Sequence, residues 1–278
     1  MTRFPKRSVY PHSLSNGWRS SGFTLVELLV VVAVIVVMTT LSIPAFNAIR
    51  GGTDFTSEVY DVAGMLDQAR SYAIANNTYV LAGIIEVSGA QDSSASTQVI
   101  GTGRFAIAII ASKSGTRPYQ SLINAGTLGN WVSQSLYLTG TAFVPITKLM
   151  TFTNIHMVDL QPPPTSGGGT MSRPSVSQYY DLSNATCTSS TWFGWPLGKS
   201  QYTFSKVIEF DPQGCARIIS TSNPASYPDA VPQFVEIGLE PAHGTGAAGP
   251  PSSQSTGAGQ IAAIQITGVS GANQTYRP

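Results

Sequence analysis

The hydrophobic and polar positions divide the chain into three regimes. From Phe23 to Phe46, 24 residues carry one charge, Glu27, and the stretch from Leu28 to Met38 is unbroken apolar sequence. Further on, Phe55, Val59, Val62, Leu66, Ala69 and Ala73 recur at steps of three and four, the period of one helix face. Glu58, Asp61, Asp67, Gln68 and Arg70 fall mostly off that face. After Asn77 the pattern changes to runs rich in Val, Ile, Phe, Tyr and Thr, bounded by turn residues. It predicts strands over 78–87, 98–112, 141–153, 202–211, 215–221, 234–239 and 260–267. Phe210-Asp-Pro-Gln-Gly214 reads as a tight turn between two antiparallel strands, with the glycine at positive φ.

The fold class expected from this pattern is α+β. A long, bent helix over residues 23–77 has a membrane half, 23–46, and an amphipathic half, 47–77, packed on an antiparallel β-rich head, 78–278. As a helix, 24 residues extend roughly 36 Å, enough to cross a hydrocarbon core of about 30 Å once. Pro44 lacks a backbone N–H and its ring crowds the carbonyl of Thr40. The helix therefore either loosens there, with the hydroxyls of Thr39, Thr40 and Ser42 re-satisfying the backbone, or ends. Gly51-Gly52 interrupts the helical pattern, and Thr53 or Asp54 is placed to cap a new start.

Charge sharpens the picture. Only 10% of the 278 residues are charged, against 42% hydrophobic. That composition fits a β-rich, exported protein and excludes a fully disordered chain. Arg3, Lys6, Arg7 and Arg19 precede the apolar run with no acid among them, whereas the remainder is mildly acidic. A basic head before an apolar span leaves the positive end in the cytoplasm. Two other readings compete. A buried core helix leaves the flanking charge unexplained. A secretory signal with its apolar region at 28–38 has a poor cleavage site at Ile43-Pro44-Ala45, and Glu27 stands where positive charge is wanted.

The segment Ser20-Ser-Gly-Phe-Thr-Leu-Val-Glu-Leu-Leu29 decides among them. Gly22, then Phe23, then Glu27 as the fifth residue after the glycine, then the apolar run and Pro44, resemble the type IV pilin and pseudopilin superfamily. The resemblance implies that a prepilin peptidase removes the leader, residues 1–22, by cutting between Gly22 and Phe23, and methylates the new Phe23 amine. It implies assembly with other pilin or pseudopilin subunits in the bacterial inner membrane, with Glu27 and Pro44 as assembly residues and the head in the periplasm or on a filament. The leader is long for the family, and Arg19 stands three residues before Gly22. Physical chemistry agrees on Glu27. A carboxylate in a membrane helix costs about 2.5–3.5 kcal/mol at the centre and less near an end. The free amine of Phe23 on a neighbouring subunit would compensate it and set the axial register. Solvation of Glu27 at the headgroup level is the other possibility.

Ala69-Arg-Ser-Tyr-Ala-Ile-Ala-Asn-Asn-Thr78 and the Phe-Asp-Pro-Gln-Gly turn resemble H-type minor pseudopilins and FimT-like minor pilins. The expected function is therefore a minor pseudopilin of a type II secretion system, acting by filament assembly. The alternatives are a minor pilin of a type IV pilus, for priming, adhesion or DNA uptake, and a secreted enzyme or binding protein with a removable signal.

Other chemistry is sparse. Residues 159–200 and 243–259 read as loop insertions. Cys187 and Cys215 could pair outside the cytoplasm, closing a loop of about 29 residues and adding roughly 3–4 kcal/mol, or remain separate thiols. No metal site is expected, since no Cys-x-x-Cys or His-x-x-x-His spacing occurs, and no cofactor. His156 reads as a satisfied core residue. Gly101-Thr-Gly-Arg-Phe-Ala106 leads into a strand, where a dinucleotide site requires a helix. Asp92, Asp159, Asp181 and Asp229 stand alone in sequence. With no Gly-x-Ser-x-Gly and no catalytic constellation, an enzyme is not expected. Scattered basic residues in an acidic body argue against a nucleic-acid partner.

Overall fold

The computed structural model describes residues 24–117, 119–120, 141–153, 155–160, 173–174, 179–183, 193–219, 231–241 and 261–277, with backbone alone for 41–53, 179 and 219. Two compact units divide between Asn47 and Ala48. The first contains the N-terminal part of helix α1, Leu25–Ala75. The helix backbone is continuous through Pro44 and through Gly51-Gly52. Neither ends it, so no new start is capped at Thr53 or Asp54. A helical glycine costs only about 1 kcal/mol, which the bonds of neighbouring turns can absorb.

The second unit is the head. Phe55, Val59, Val62, Leu66, Ala69 and Ala73 are each 2% exposed or less. This stripe forms one side of the main core. The helix ends at Ala75, and Asn77 takes φ 47° to turn the chain into the first strand, a conformation that Asn tolerates better than most residues.

The first sheet has the order β10-β9-β1-β2-β3, with β4 also on β2. Its strands are β1, Val80–Ser88; β2, Gly103–Ser112; β3, Phe143–Pro145; β4, Met150–Phe152; β9, Lys206–Phe210; and β10, Ala216–Ile219. All its pairings are antiparallel. The turn between β9 and β10 has Gly214 at φ 84°. Both faces of this sheet are covered. Val80, Ala82 and Ile84 of β1 face the helix core, whereas Leu81, Ile85 and Val87 face a second cluster. That second cluster is built on a hairpin of β7, Phe193–Trp195, and β8, Tyr202–Phe204. Phe193 and Phe204 stack at 4.8 Å between ring centroids. The stack sits directly on Gly83, where a Cβ would lie 2.4 Å from Phe193 Cζ.

The second sheet runs β13-β12-β11-β5, with β6 pairing parallel to β11. Its strands are β5, Ile155–Met157; β6, Tyr179–Asp181; β11, Phe234–Pro241; β12, Ala262–Thr267; and β13, Asn273–Tyr276. Val235, Ile237, Leu239, Ile264 and Ile266 point into the same core as the helix stripe. Residues 159–200 are thus more than a loop insertion, because they supply β6 and β7. Residues 243–259 lie outside the described ones.

Candidate functional site

The N-terminal unit begins with a reciprocal cap. Thr24 stands just before the first helical residue, Leu25. Its backbone N–H donates to Glu27 Oε2 at 2.9 Å, and its hydroxyl donates to the same oxygen at 2.8 Å. The Glu27 N–H donates back to the Thr24 hydroxyl at 3.2 Å. This is the Thr-x-x-Glu capping box, in which side chains satisfy N–H groups that have no partner inside the helix. The sequence reading placed Glu27 in the apolar run and missed this role. The spacing Thr24-Leu-Val-Glu27 was the available signal. The cap fixes the carboxylate at the mouth of the helix. Both bonds to it fall on Oε2, so Oε1 has no partner among the described residues.

Beyond the cap, the large apolar side chains from Leu25 to Met38 are all at least half exposed, from 50% at Val31 to 82% at Leu25. Apolar surface on every side of a helix has nowhere to go in water as a monomer. The only polar side chains in the described part of this run after Glu27 are Thr39 and Thr40. Their hydroxyls donate to Val36 O and Val37 O at 2.9 and 2.8 Å. They donate within the preceding turn, not to the Thr40 carbonyl that Pro44 leaves without its usual donor. The Ser42 and Pro44 side chains, Gly22 and Phe23 lie outside the described residues. Among the described residues, no helix is long and apolar enough to cross a membrane.

In the head, Cys215 is a free thiol whose Sγ donates to Val269 O at 3.1 Å, while Cys187 lies outside the described residues. Burial, and then the negative charge of Asp211, push this thiol's pKa up. His156 is part-buried and its partners are carboxylates. Its Nδ1 lies 2.6 Å from Oε1 of the buried Glu86, and its Nε2 is 4.0 Å from Glu240. Asp159 and Asp181, isolated in sequence, are neighbours in space. Sequence spacing hides that pair because β6 is brought to β11 from outside the hairpin order. Arg117 and Arg217 flank Glu209 at 2.9 and 3.6 Å, and Arg173 pairs with Glu236 at 2.6 Å. These guanidiniums are engaged with carboxylates. No group of three His, Cys, Asp or Glu side chains suited to a metal ion occurs among the described residues.

Residues 19–43 match the family model described as the prokaryotic N-terminal methylation motif. The match supports a place in the type IV pilin-like superfamily. The motif is the substrate signal of prepilin peptidase and implies assembly as a pilin-type subunit. It is consistent with membrane anchoring. No curated protein and no solved structure matches the chain.

Proposed function

We propose that the chain is a minor pseudopilin of a type II secretion system, a subunit that works by assembling into a short filament and has no catalytic role. The observation that carries this reading is the capped carboxylate at the head of an exposed apolar helix, within the methylation motif. After cleavage before Phe23, Glu27 is the only charge in 24 residues apart from the new amine. Its open Oε1 is available to the Phe23 amine of an adjacent subunit. Residues 23–46 anchor the chain in the inner membrane before assembly, with the β-rich head outside the cytoplasm. The secretion role rests on the resemblance of residues 69–78 and of the Phe210–Gly214 turn to H-type minor pseudopilins. The same residues favour, as the second reading, a minor pilin of a type IV pilus.

Replacing Glu27 with Ala in the native host tests both. Membrane insertion should persist, while cross-linking to neighbouring subunits is lost and secretion of folded proteins falls. Loss of surface pili with intact secretion would select the pilus reading. Normal cross-linking by the variant would refute the assembly role of Glu27.

A further inference from the structure

Residues 155–160 run along β11 in the second sheet and are held at both ends by contacts that need protons. At the first end, Glu86 on β1 accepts the Gly103 N–H at 3.1 Å and His156 Nδ1 at 2.6 Å on Oε1, and the Met157 N–H at 3.2 Å on Oε2. One carboxylate thus joins β1 and β2 of the first sheet to β5 of the second. At the other end, the carboxyl group of Asp159 neighbours that of Asp181, which is only 6% exposed. Two adjoining carboxyl groups, one of them buried, do not readily ionise together, so one tends to keep its proton. Asp181 also accepts the Leu160 N–H at 3.3 Å and the Ser183 N–H at 2.7 Å. Between the two ends the chain lies close on β11. The Val158 N–H donates to Gly238 O at 3.0 Å, and a Cβ on Gly238 would come 2.1 Å from Val158 O.

We propose that residues 155–160 form a proton-held latch, tied to the first sheet at Glu86 and to β6 at Asp181, closed in acid and opened as the solution becomes alkaline. The described charged groups facing it are few. His156 faces Glu86 from β1 and Glu240 from β11. Arg104, the charged residue of β2, is turned to Gln98 and Gln91. Asp181 faces Asp159 and, from β11, Glu236, which is itself paired with Arg173.

The direction follows from linkage. Burial works against charge on His156, but the hydrogen bond and charge of Glu86, with the charge of Glu240, outweigh it and raise its pKa above 6.5. Its contribution is full below 6.5 and is lost as pH rises through the higher folded value. Burial chiefly raises Asp181 from 3.8 to about 7, with Asp159 and Glu236 adding to the effect against the Ser183 N–H. Folding therefore keeps a proton that the unfolded chain releases, and that stabilisation drains away between about pH 4 and 7. Both ends weaken in the same sense.

Hydrogen–deuterium exchange of the full chain in detergent micelles, at pH 5.0 and 8.5 and corrected for intrinsic exchange, tests the latch. The amides of 157, 158 and 160 should exchange at least about tenfold faster at the higher pH, while β12 changes little. The double variant Asp181→Asn/His156→Gln places a carboxamide at each end. Each carboxamide donates N–H bonds without titrating, so the ratio should fall towards one. A wild-type ratio near one, an undiminished ratio in the variant, or an equal change across β12 would overturn the proposal.

Discussion

Arg277, near the end of the chain, donates from Nη1 to the hydroxyl of Thr56 at 2.9 Å, and its guanidinium lies 5.3 Å above the ring of Phe55. Two further bonds follow along the same helix. Asn273 Nδ2 donates to Ala63 O at 2.8 Å, and Arg70 Nε donates to Ser270 O at 2.6 Å. Thr56, Ala63 and Arg70 are spaced by seven, almost two helical turns, so they fall on one stripe. The C-terminal segment runs down that stripe antiparallel to the helix as a polar clasp.

Because these bonds are solvent-accessible, each is worth about 1 kcal/mol. Arg277→Ala combined with Asn273→Ala should lower the melting temperature of the protein in detergent by several degrees. An unchanged melting curve would show that the clasp is dispensable.

Gly83 is set by contact with other side chains. The Phe193–Phe204 stack occupies the space its Cβ would need. Gly83→Ala should destabilise the head by about 1–3 kcal/mol through overpacking, read by denaturant unfolding. Adding Phe193→Leu should recover part of the loss. A neutral Gly83→Ala would mean that the hairpin does not sit on β1.

These two sites show what the sequence could and could not disclose. The helix stripe from Phe55 to Ala73 was legible because one local period carries all six buried residues. The Phe210–Gly214 turn was legible because Pro and Gly each have a fixed conformational use there. The strands β5, β6, β7 and β13 were not. They are three or four residues long, too short for alternation to register, and β5 and β6 are also held by a partner far off in the chain, β11. Asp159 and Asp181 looked isolated for the same reason. Thr24 was legible in principle, since a Thr three residues before an acid at a helix start is a local signal.

Capping and pairing by Glu27 can be separated. Thr24→Val removes the hydroxyl and should cost about 1 kcal/mol of local helix stability, leaving the carboxylate in place. If Glu27 pairs with a neighbouring subunit, Glu27→Ala should impair cross-linking into the filament far more than Thr24→Val does. Equal effects would reduce Glu27 to a cap.

Cys215 is a free thiol with a raised pKa, and thiolate is the reactive form. A maleimide at pH 7 should label it slowly in the native protein and quickly after unfolding, with no reductant added. Labelling that appears only after reduction would show instead that Cys215 pairs with Cys187.

The capped helix acts in assembly only if the chain is cut ahead of it. Mass spectrometry of the N-terminal peptide, on protein purified from its own bacterial host, reads this directly. A peptide that starts at Phe23 with a methylated amine is the expected result. One that starts at Met1 or at Phe46 would contradict the account.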